Sequence, residues 1–189
     1  MRRKPGVGGQ TAPVDRCEEC RFEYASETPE SIPGRLRTLG GRYTAPLTRF
    51  LPAEDGPSLS RSHPVPGAWS ALEYACHVRD VLQIQRERIA QTLVEDVPEY
   101  TPMGREERVV ELAYDAQEPA EVARAITAAA DGVATAFEAL TAEQWARRGI
   151  YNFPEPAARS LVWLGQHTVH EAHHHLLDVG RTLRLARGR

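Results

Sequence analysis

The feature that most limits the fold is the spacing of apolar residues, which recur every three or four positions through several long segments. This spacing places apolar side chains on one face of an α-helix, and it predicts helices over about residues 31–50, 70–94, 119–139 and 158–184. A shorter helical stretch is predicted over 105–115. No segment shows the two-residue alternation of a half-buried strand. The sequence therefore predicts an all-α protein, a four-helix bundle whose connecting loops differ in length.

Local signals predict several of the boundaries. Ser70 followed by Glu73 has the pattern of a capping box, so the second long helix is predicted to begin there. The pair Gly40–Gly41 weakens the first helix. The four prolines and two glycines within residues 52–67 predict a loop. The segment LTAEQWARRG is predicted to be a turn, and residues 149–157, with two prolines, a further loop.

Length and composition limit the organisation of the chain and its partners. A chain of 189 residues is long enough to bury a sizeable core; we predict a tail over residues 1–30, loose over 1–15, and the bundle over 31–189. The net charge of −3 does not favour a nucleic acid partner. No apolar run approaches the roughly 18 residues of a membrane span. The basic N-terminus lacks the apolar core of a secretory signal, which predicts a cytoplasmic protein with reduced cysteines. We expect a small-molecule substrate as partner, and the sequence does not decide whether the protein forms a homodimer.

Histidines are concentrated in the last predicted helix, where five of the seven in the chain fall within residues 167–175. A solvated polar face is one explanation. A metal site is the other, since neutral imidazole is the commonest metal-binding side chain. Two ligands on one helix must lie three or four residues apart. The pairs that satisfy this spacing are His167/Glu171, His170/His174 and Glu171/His175.

The helical angle separates these pairs. The apolar stripe of this helix is formed by Leu161, Leu164, Val169, Ala172, Leu176, Val179 and Leu183. At about 100° per residue, Glu171 and His175 lie on the flank of that stripe, whereas His170 and His174 point almost opposite to it. Metal sites in bundles use inward-facing side chains. Glu171 and His175 are therefore the predicted ligands, with His170 and His174 outward.

The third predicted ligand is His77, the only histidine of the second long helix, on the same face as Tyr74, Val81 and Ile84. Three protein ligands leave positions open for water or substrate, as in catalytic sites. Asp80 and Asp178 each follow a predicted histidine ligand by three residues, and we expect them to accept hydrogen bonds from the imidazoles. The competing triad combines His77 with His170 and His174.

Two cysteines near the N-terminus, Cys17 and Cys20, form a single C-x-x-C. This motif is half of a zinc site or a redox pair, and a pair that holds no metal is the third interpretation. No second C-x-x-C exists to complete a four-cysteine site. By residue type, Cys76 and His63 are the nearest candidates for further ligands.

Three motifs in order resemble the DinB-like (YfiT-like) metalloprotein superfamily over about residues 30–185. A Trp-Ser helix start followed by a histidine, WSALEYACHVRD, is similar to the second helix of that family, and LTAEQWARRG resembles the segment before its last helix. HTVHEAHHHLLDVGR resembles its closing ligand-x-x-x-His pair. Most members have His at the first ligand position of this pair. The mycothiol-dependent maleylpyruvate isomerase branch has Glu at that position, followed by the His and, three residues later, by Asp. The matching residues here are Glu171, His175 and Asp178. The C-x-x-C of DRCEECRF is an addition to the family pattern.

The resemblance implies a four-helix bundle that binds a divalent metal, zinc or nickel. It also implies S-transfer or isomerisation with mycothiol, bacillithiol or glutathione, in which the metal lowers the pKa of the thiol. We therefore expect a metal-dependent enzyme acting on a low-molecular-weight thiol and an electrophilic small molecule, with Tyr114 and Arg108 as candidates to line the pocket. The alternatives are a metal-dependent hydrolase without a thiol cofactor and a non-enzymatic metal-binding or stress-response protein.

Overall fold

The computed structural model describes residues 16–153 and 155–188, and the predicted loose tail over 1–15 lies outside them. In chain order the helices are α1 (Ile32–Arg42), α2 (Thr44–Thr48), α3 (Gly56–Arg61), α4 (Ala71–Val94), α5 (Arg105–Glu111), α6 (Pro119–Glu138), α7 (Ala142–Trp145) and α8 (Leu161–Ala186). Two short strands, β1 (Arg148–Tyr151) and β2 (Ala157–Ser160), precede α8, and 3-10 turns lie at Tyr24–Ser26 and Tyr114–Ala116. None of the helices in the described part of the chain has the length and hydropathy needed to cross a membrane.

The longest helices begin at hydrogen-bonded caps. At the start of α4 the Ser70 hydroxyl accepts from the Glu73 N–H, and the Glu73 carboxylate accepts from the Ser70 N–H at 2.7 Å. This reciprocal pair satisfies backbone donors that the first helical turn leaves free, and it confirms the predicted capping box. At the start of α8 the Ser160 hydroxyl accepts from the Trp163 N–H in the same way.

Four helices enclose the core, and the predicted four-helix bundle is confirmed. α1 packs against α6 and α8, and α4 packs against the same two helices. Gly40 lies where α1 meets α6, and a Cβ atom built on it would stand only 2.4 Å from the Ala130 Cβ. Gly40 has a low intrinsic helix propensity, but its lack of a side chain permits the close approach of the α1 and α6 backbones. Fully buried large side chains of the core include Tyr43, Phe137, Leu36, Leu72 and Ile126.

The predicted helix over 31–50 is divided at Tyr43 into α1 and α2. Pro46 explains the division, because it has no N–H to donate to the carbonyl of Arg42 and its ring crowds that carbonyl. Tyr43 itself is buried, and its hydroxyl donates to the Ala172 carbonyl of α8 at 2.7 Å.

A β-hairpin precedes α8, where the sequence predicted only turn and loop. β1 and β2 pair antiparallel, with Arg148 opposite Ser160 and Tyr151 opposite Ala157. The hairpin also joins the segment after α4, since the Tyr100 N–H donates to the Ile150 carbonyl at 3.0 Å. Four-residue strands carry too few positions for an alternating pattern. Helix α3, within the predicted loop 52–67, and α7, within the predicted turn, are similarly short.

Residues 16–31 pack along α8. Phe22 and Tyr24 are both buried, and an isolated antiparallel bridge pairs Arg16 with Glu23. The described part of the predicted tail therefore covers one face of the helix that carries the histidine cluster.

Candidate metal centre

The three predicted metal ligands converge at the contact between α4 and α8. The Nε2 atom of His77 lies 3.7 Å from the Glu171 Oε2, and the Nε2 atom of His175 lies 3.5 Å from the same oxygen. One ligand atom from each of the three residues lies within 4.8 Å of those of the other two. The helix register chosen from the apolar stripe thus brings a carboxylate and two imidazoles to one point.

The donors of this cluster suit a divalent ion. His77 is 4% exposed, and its burial lowers the pKa of the imidazole, which keeps the ring neutral. Its Nδ1 is buried and has no hydrogen-bond partner among the described residues. Burial works against the charge of Glu171, but the imidazoles of His170, His175 and His77 beside the carboxylate outweigh it and hold the pKa well below its usual range. Neutral imidazoles and a carboxylate are the donor set of zinc and nickel sites.

Asp178 occupies the supporting position that the sequence predicted for it. Its Oδ2 lies 3.0 Å from the Nδ1 atom of His175 and 3.4 Å from the Nε2 atom of His174. Burial lowers the pKa of His175, but Asp178 and Glu171 outweigh that effect and raise it to about 9. A metal ion at this site would therefore displace a proton that the two carboxylates otherwise hold on His175.

Asp80 faces a different set of partners from those predicted. Its Oδ2 accepts from the Tyr114 hydroxyl at 2.6 Å and lies 3.4 Å from the Arg108 Nη1, while Oδ1 accepts from the Arg79 Nε at 2.7 Å. No hydrogen bond joins Asp80 to His77 in the described structure. Tyr114 and Arg108 support this buried carboxylate and do not line the cavity described next, so the expectation that they line the pocket is wrong.

A cavity of about 350 Å³ opens onto the three predicted ligands. Its apolar wall includes Val81, Ile84, Met103 and Phe153, and its polar positions include Gln85, Arg88, Arg105 and Asn152. The β-hairpin contributes Tyr151, whose ring lies 4.8 Å from the Arg88 guanidinium carbon. The sequence did not predict that the hairpin would line a cavity, because residues 149–157 were predicted to be a loop.

His167 is a further candidate for function in this cavity. It is one turn before Glu171, with its Nε2 atom 3.9 Å from the Glu171 Oε1. Burial lowers the pKa of the imidazole to about 4, so the ring is neutral at pH 7. Its Nδ1 lies 2.9 Å from the Tyr24 hydroxyl, and its ring stacks on Trp163 at 4.8 Å. The i,i+4 spacing with Glu171 was the signal in the sequence, but the contact with Tyr24 is long-range.

The prediction that His170 and His174 point outward is wrong. Both line the cavity that the three predicted ligands share, and their side chains are only 12% and 16% exposed. The segment that precedes α1 covers them, with the Phe22 ring 5.6 Å from that of His170 and the Cys17 Sγ 3.6 Å from the His174 Nδ1. The argument from helical angle assumed that the face opposite the core meets solvent.

Cys17 and Cys20 join these two histidines in a second cluster, whose ligand atoms all lie within 4.8 Å of one another. Burial opposes ionisation of Cys17, but backbone N–H groups and the nearby His170 imidazole outweigh it and lower the pKa to about 6. The pKa of Cys20 is raised to about 11 by burial and by its neighbouring sulfur.

The partners suggested for the C-x-x-C from sequence lie elsewhere. Cys76 is buried with its Sγ 3.6 Å from the Gln117 Oε1, and the His63 Nε2 lies 2.8 Å from the Glu73 Oε2. Neither residue belongs to a metal-binding group in the part of the chain that the structure describes.

Comparison with known proteins gives one family and one solved structure. A family model described as the DinB superfamily matches residues 27–179. The structure of YfiT from Bacillus subtilis, described as "a probable metal-dependent hydrolase with an unusual four-helix bundle topology", aligns with a TM-score of 0.70 and 15% identity, covering 92% of this chain and 93% of that one. No curated protein matches the sequence.

Proposed function

We propose that this chain, which belongs to the DinB superfamily, is a metal-dependent enzyme that transfers a low-molecular-weight thiol to an electrophilic small molecule. The observation that carries the proposal is the position of His77, Glu171 and His175 on the wall of a cavity of about 350 Å³. Catalytic metal sites have three protein ligands and an open position, whereas structural sites are closed by four. An open cavity beside the ligands also favours an enzyme over a protein that only stores metal.

When bound by these three residues, zinc or nickel would lower the pKa of a thiol that enters the cavity, so that a thiolate exists at neutral pH. The residues of the chain supply the rest. His77 and His175 donate neutral imidazole nitrogens, and Glu171 adds a negative charge that offsets part of the positive charge.

His167 is placed to take the proton of the thiol. In the neutral tautomer that donates its Nδ1 proton to the Tyr24 oxygen, 2.9 Å away, the Nε2 lone pair is on the Glu171 side of the cavity. The S–H proton passes to Nε2, the sulfur electron pair forms a bond to the electrophilic carbon, and the leaving group departs with the electrons of the bond that breaks. Glu171 then stabilises the imidazolium.

The residues that line the cavity favour a substrate larger than water. Its apolar wall can bury the carbon skeleton of an electrophile. Arg88 and Arg105 stand at polar positions of the same cavity, where guanidinium groups can hold carboxylate or hydroxyl groups of a small thiol. The resemblance of Glu171, His175 and Asp178 to the mycothiol-dependent branch supports the same class of substrate.

A second candidate function is hydrolysis, and it is favoured by the likeness to YfiT, which is described as a probable metal-dependent hydrolase. In that case the nucleophile would be water, and the same His167 would accept its proton. The two functions differ in whether a thiol is consumed.

The proposal is tested by metal analysis combined with a thiol assay. Purified protein loaded with zinc or nickel is incubated with mycothiol, bacillithiol or glutathione and with monobromobimane as the electrophile. We expect metal-dependent loss of one of these thiols, and an activity lower by about 10²-fold or more in Glu171→Ala and His175→Ala. His173→Ala, on the same helix but outside the cluster, is the matched control and should retain activity. Hydrolysis of model esters or amides without consumption of any thiol would favour the second function.

A further inference from the structure

We propose that Cys17, Cys20, His170 and His174 form a second metal site, a closed tetrahedral zinc site that fastens the segment preceding α1 to α8. The site is separate from the one proposed for catalysis, because the two share no ligand. It gives a role to the C-x-x-C motif and to two histidines that are not among the ligands proposed for catalysis.

The two sulfurs are presented by a tight turn. The Cys17 N–H donates to the Phe22 carbonyl at 2.9 Å, and the Arg21 N–H donates to the Cys17 carbonyl at 2.8 Å. Arg21 has a φ of 58°, a left-handed conformation that is uncommon for a residue with a side chain. The turn brings the Sγ atoms of Cys17 and Cys20 to the same side, within 4.8 Å of each other.

The two histidines face this turn from α8. They are four residues apart, so their rings lie on one side of the helix, with centroids 5.3 Å apart. The His174 Nδ1 lies 3.6 Å from the Cys17 Sγ. Both ring nitrogens of His170 are buried, and neither makes a well-directed hydrogen bond with the described residues, although Nδ1 lies 3.3 Å from the Glu171 Oε1. Buried polar atoms in folded proteins usually have such a bond, and a bound ion would give one nitrogen a well-directed partner.

The donor set and its spacing are those of a structural zinc site. Two thiolates from C-x-x-C and two imidazoles from His-x-x-x-His match the ligand types and separations of such sites. A tetrahedral zinc ion, with bonds of about 2.3 Å to sulfur and about 2.0–2.1 Å to nitrogen, holds its ligand atoms about 3.3–3.8 Å apart. The four atoms already lie within 4.8 Å of one another, so a contraction of about 1.5 Å or less in each separation completes the site.

The site would also hold the wall of the catalytic cavity in place. The residues that follow the turn include Phe22, packed against the His170 ring, and Tyr24, bonded to His167. Fastening Cys17 and Cys20 to α8 therefore fixes the position of Tyr24 on His167. Four protein ligands leave no position for substrate, so this ion would act on structure and not on the reaction.

Metal stoichiometry tests the proposal directly. Wild-type protein purified with zinc should hold about two equivalents, and Cys17→Ser/Cys20→Ser should hold about one, as should His77→Ala. After replacement by Co²⁺, the wild type and His77→Ala should show a thiolate-to-cobalt charge-transfer band and intense tetrahedral d–d bands, and the double cysteine variant should lose the charge-transfer band. Cys76→Ser, which changes the third cysteine, is the matched control and should retain the band. This pattern separates the second site from the proposed catalytic one, since His77→Ala disables only the latter.

Limited proteolysis of the wild-type protein supplies a test that does not depend on the folding of a variant. Removal of zinc by a chelator should release the turn and speed tryptic cleavage after Arg21 by roughly tenfold or more, and added zinc should reverse the change. A wild-type protein without a charge-transfer band would overturn the proposal. So would thiol titration, after purification without reductant, that finds Cys17 and Cys20 joined in a disulfide with zinc unable to bind.

Discussion

Replacement of Asp178 by asparagine isolates the support that this carboxylate gives to the metal centre. The carboxylate lies 3.0 Å from the Nδ1 atom of His175, so it fixes the ring orientation and makes the opposite nitrogen a stronger donor. Asparagine has nearly the same shape and can still accept the hydrogen bond, but it removes the charge. We expect Asp178→Asn to weaken zinc binding by about 10–100-fold, or about 1.4–2.7 kcal/mol.

The size of this effect should depend on pH. Because the pKa of His175 in the metal-free protein is about 9, a proton competes with zinc at pH 7 and weakens apparent binding by about 100-fold. Loss of the Asp178 charge lowers that pKa, which relieves part of the competition and offsets part of the loss. Above pH 9 the ring is already neutral in the wild type, so the full loss remains. The ratio of the two Kd values should therefore rise between pH 7 and pH 9.5.

The assay is competition against a chelator of known zinc affinity, in a Cys17→Ser/Cys20→Ser background so that a single site is titrated. Asp80→Asn is the control, because Asp80 bonds Tyr114 and Arg79 instead of a proposed ligand. It should lower the free energy of unfolding by about 1–3 kcal/mol, since it weakens the hydrogen bonds that the buried carboxylate accepts from Tyr114 and from two partly buried arginines, yet change the zinc Kd by less than about twofold. Equal weakening by both substitutions, or a Kd ratio independent of pH, would refute the reasoning.

Two further predictions concern packing and positioning. Gly40→Ala should lower the free energy of unfolding in urea by about 1–3 kcal/mol, because its Cβ would stand 2.4 Å from the Ala130 Cβ; Gly41→Ala, with nothing within 4 Å, should raise it by about 0.5–1 kcal/mol. A change in the free energy of unfolding with the same sign in both variants would contradict the close approach of α1 and α6. Tyr24→Phe removes the 2.9 Å contact with His167, and it should cost about 1–3 kcal/mol of stability and reduce kcat for thiol consumption while KM for the electrophile is unchanged. A change in KM alone would show that Tyr24 contacts substrate instead.

The long elements of this fold were accessible from sequence because each repeats its signal over many residues. The stripe on α8 has seven apolar positions from Leu161 to Leu183, which is enough to fix the rotation of the helix and to choose Glu171 and His175 over their neighbours. The same reasoning placed His77 on the inner face of α4. These predictions rest on burial along a single helix, which is a local property of the sequence.

The elements that were missed depend on contacts between distant residues. Nothing in the four residues of β1 indicates a strand, and its position follows from pairing with β2 and from the bond between Tyr100 and Ile150. Asp80 shares the spacing of Asp178 relative to a histidine, yet Tyr114, brought by the loop after α5, binds it instead. Spacing along a helix identifies which side chains are neighbours, but the elements that pack against the helix decide which bonds they make.

The covering of α8 on both sides connects the two proposed sites. Glu171 and His175 of α8 meet His77 of α4. His170 and His174, which line the same cavity, would form a more exposed row of imidazoles without the segment before α1. The segment before α1 covers this row with the ring of Phe22 and the sulfur of Cys17, and the same segment reaches His167 through Tyr24. Phe22 and Tyr24 are the two large apolar side chains of residues 16–31, and both are buried, so the rest of this short segment has little apolar surface of its own to hold it. A metal ion bound by two residues of the cover and two of the helix is the kind of cross-link that such a short segment needs. The cover therefore belongs to the functional part of the molecule, since the proton acceptor proposed for catalysis is positioned by a residue that the second site would hold.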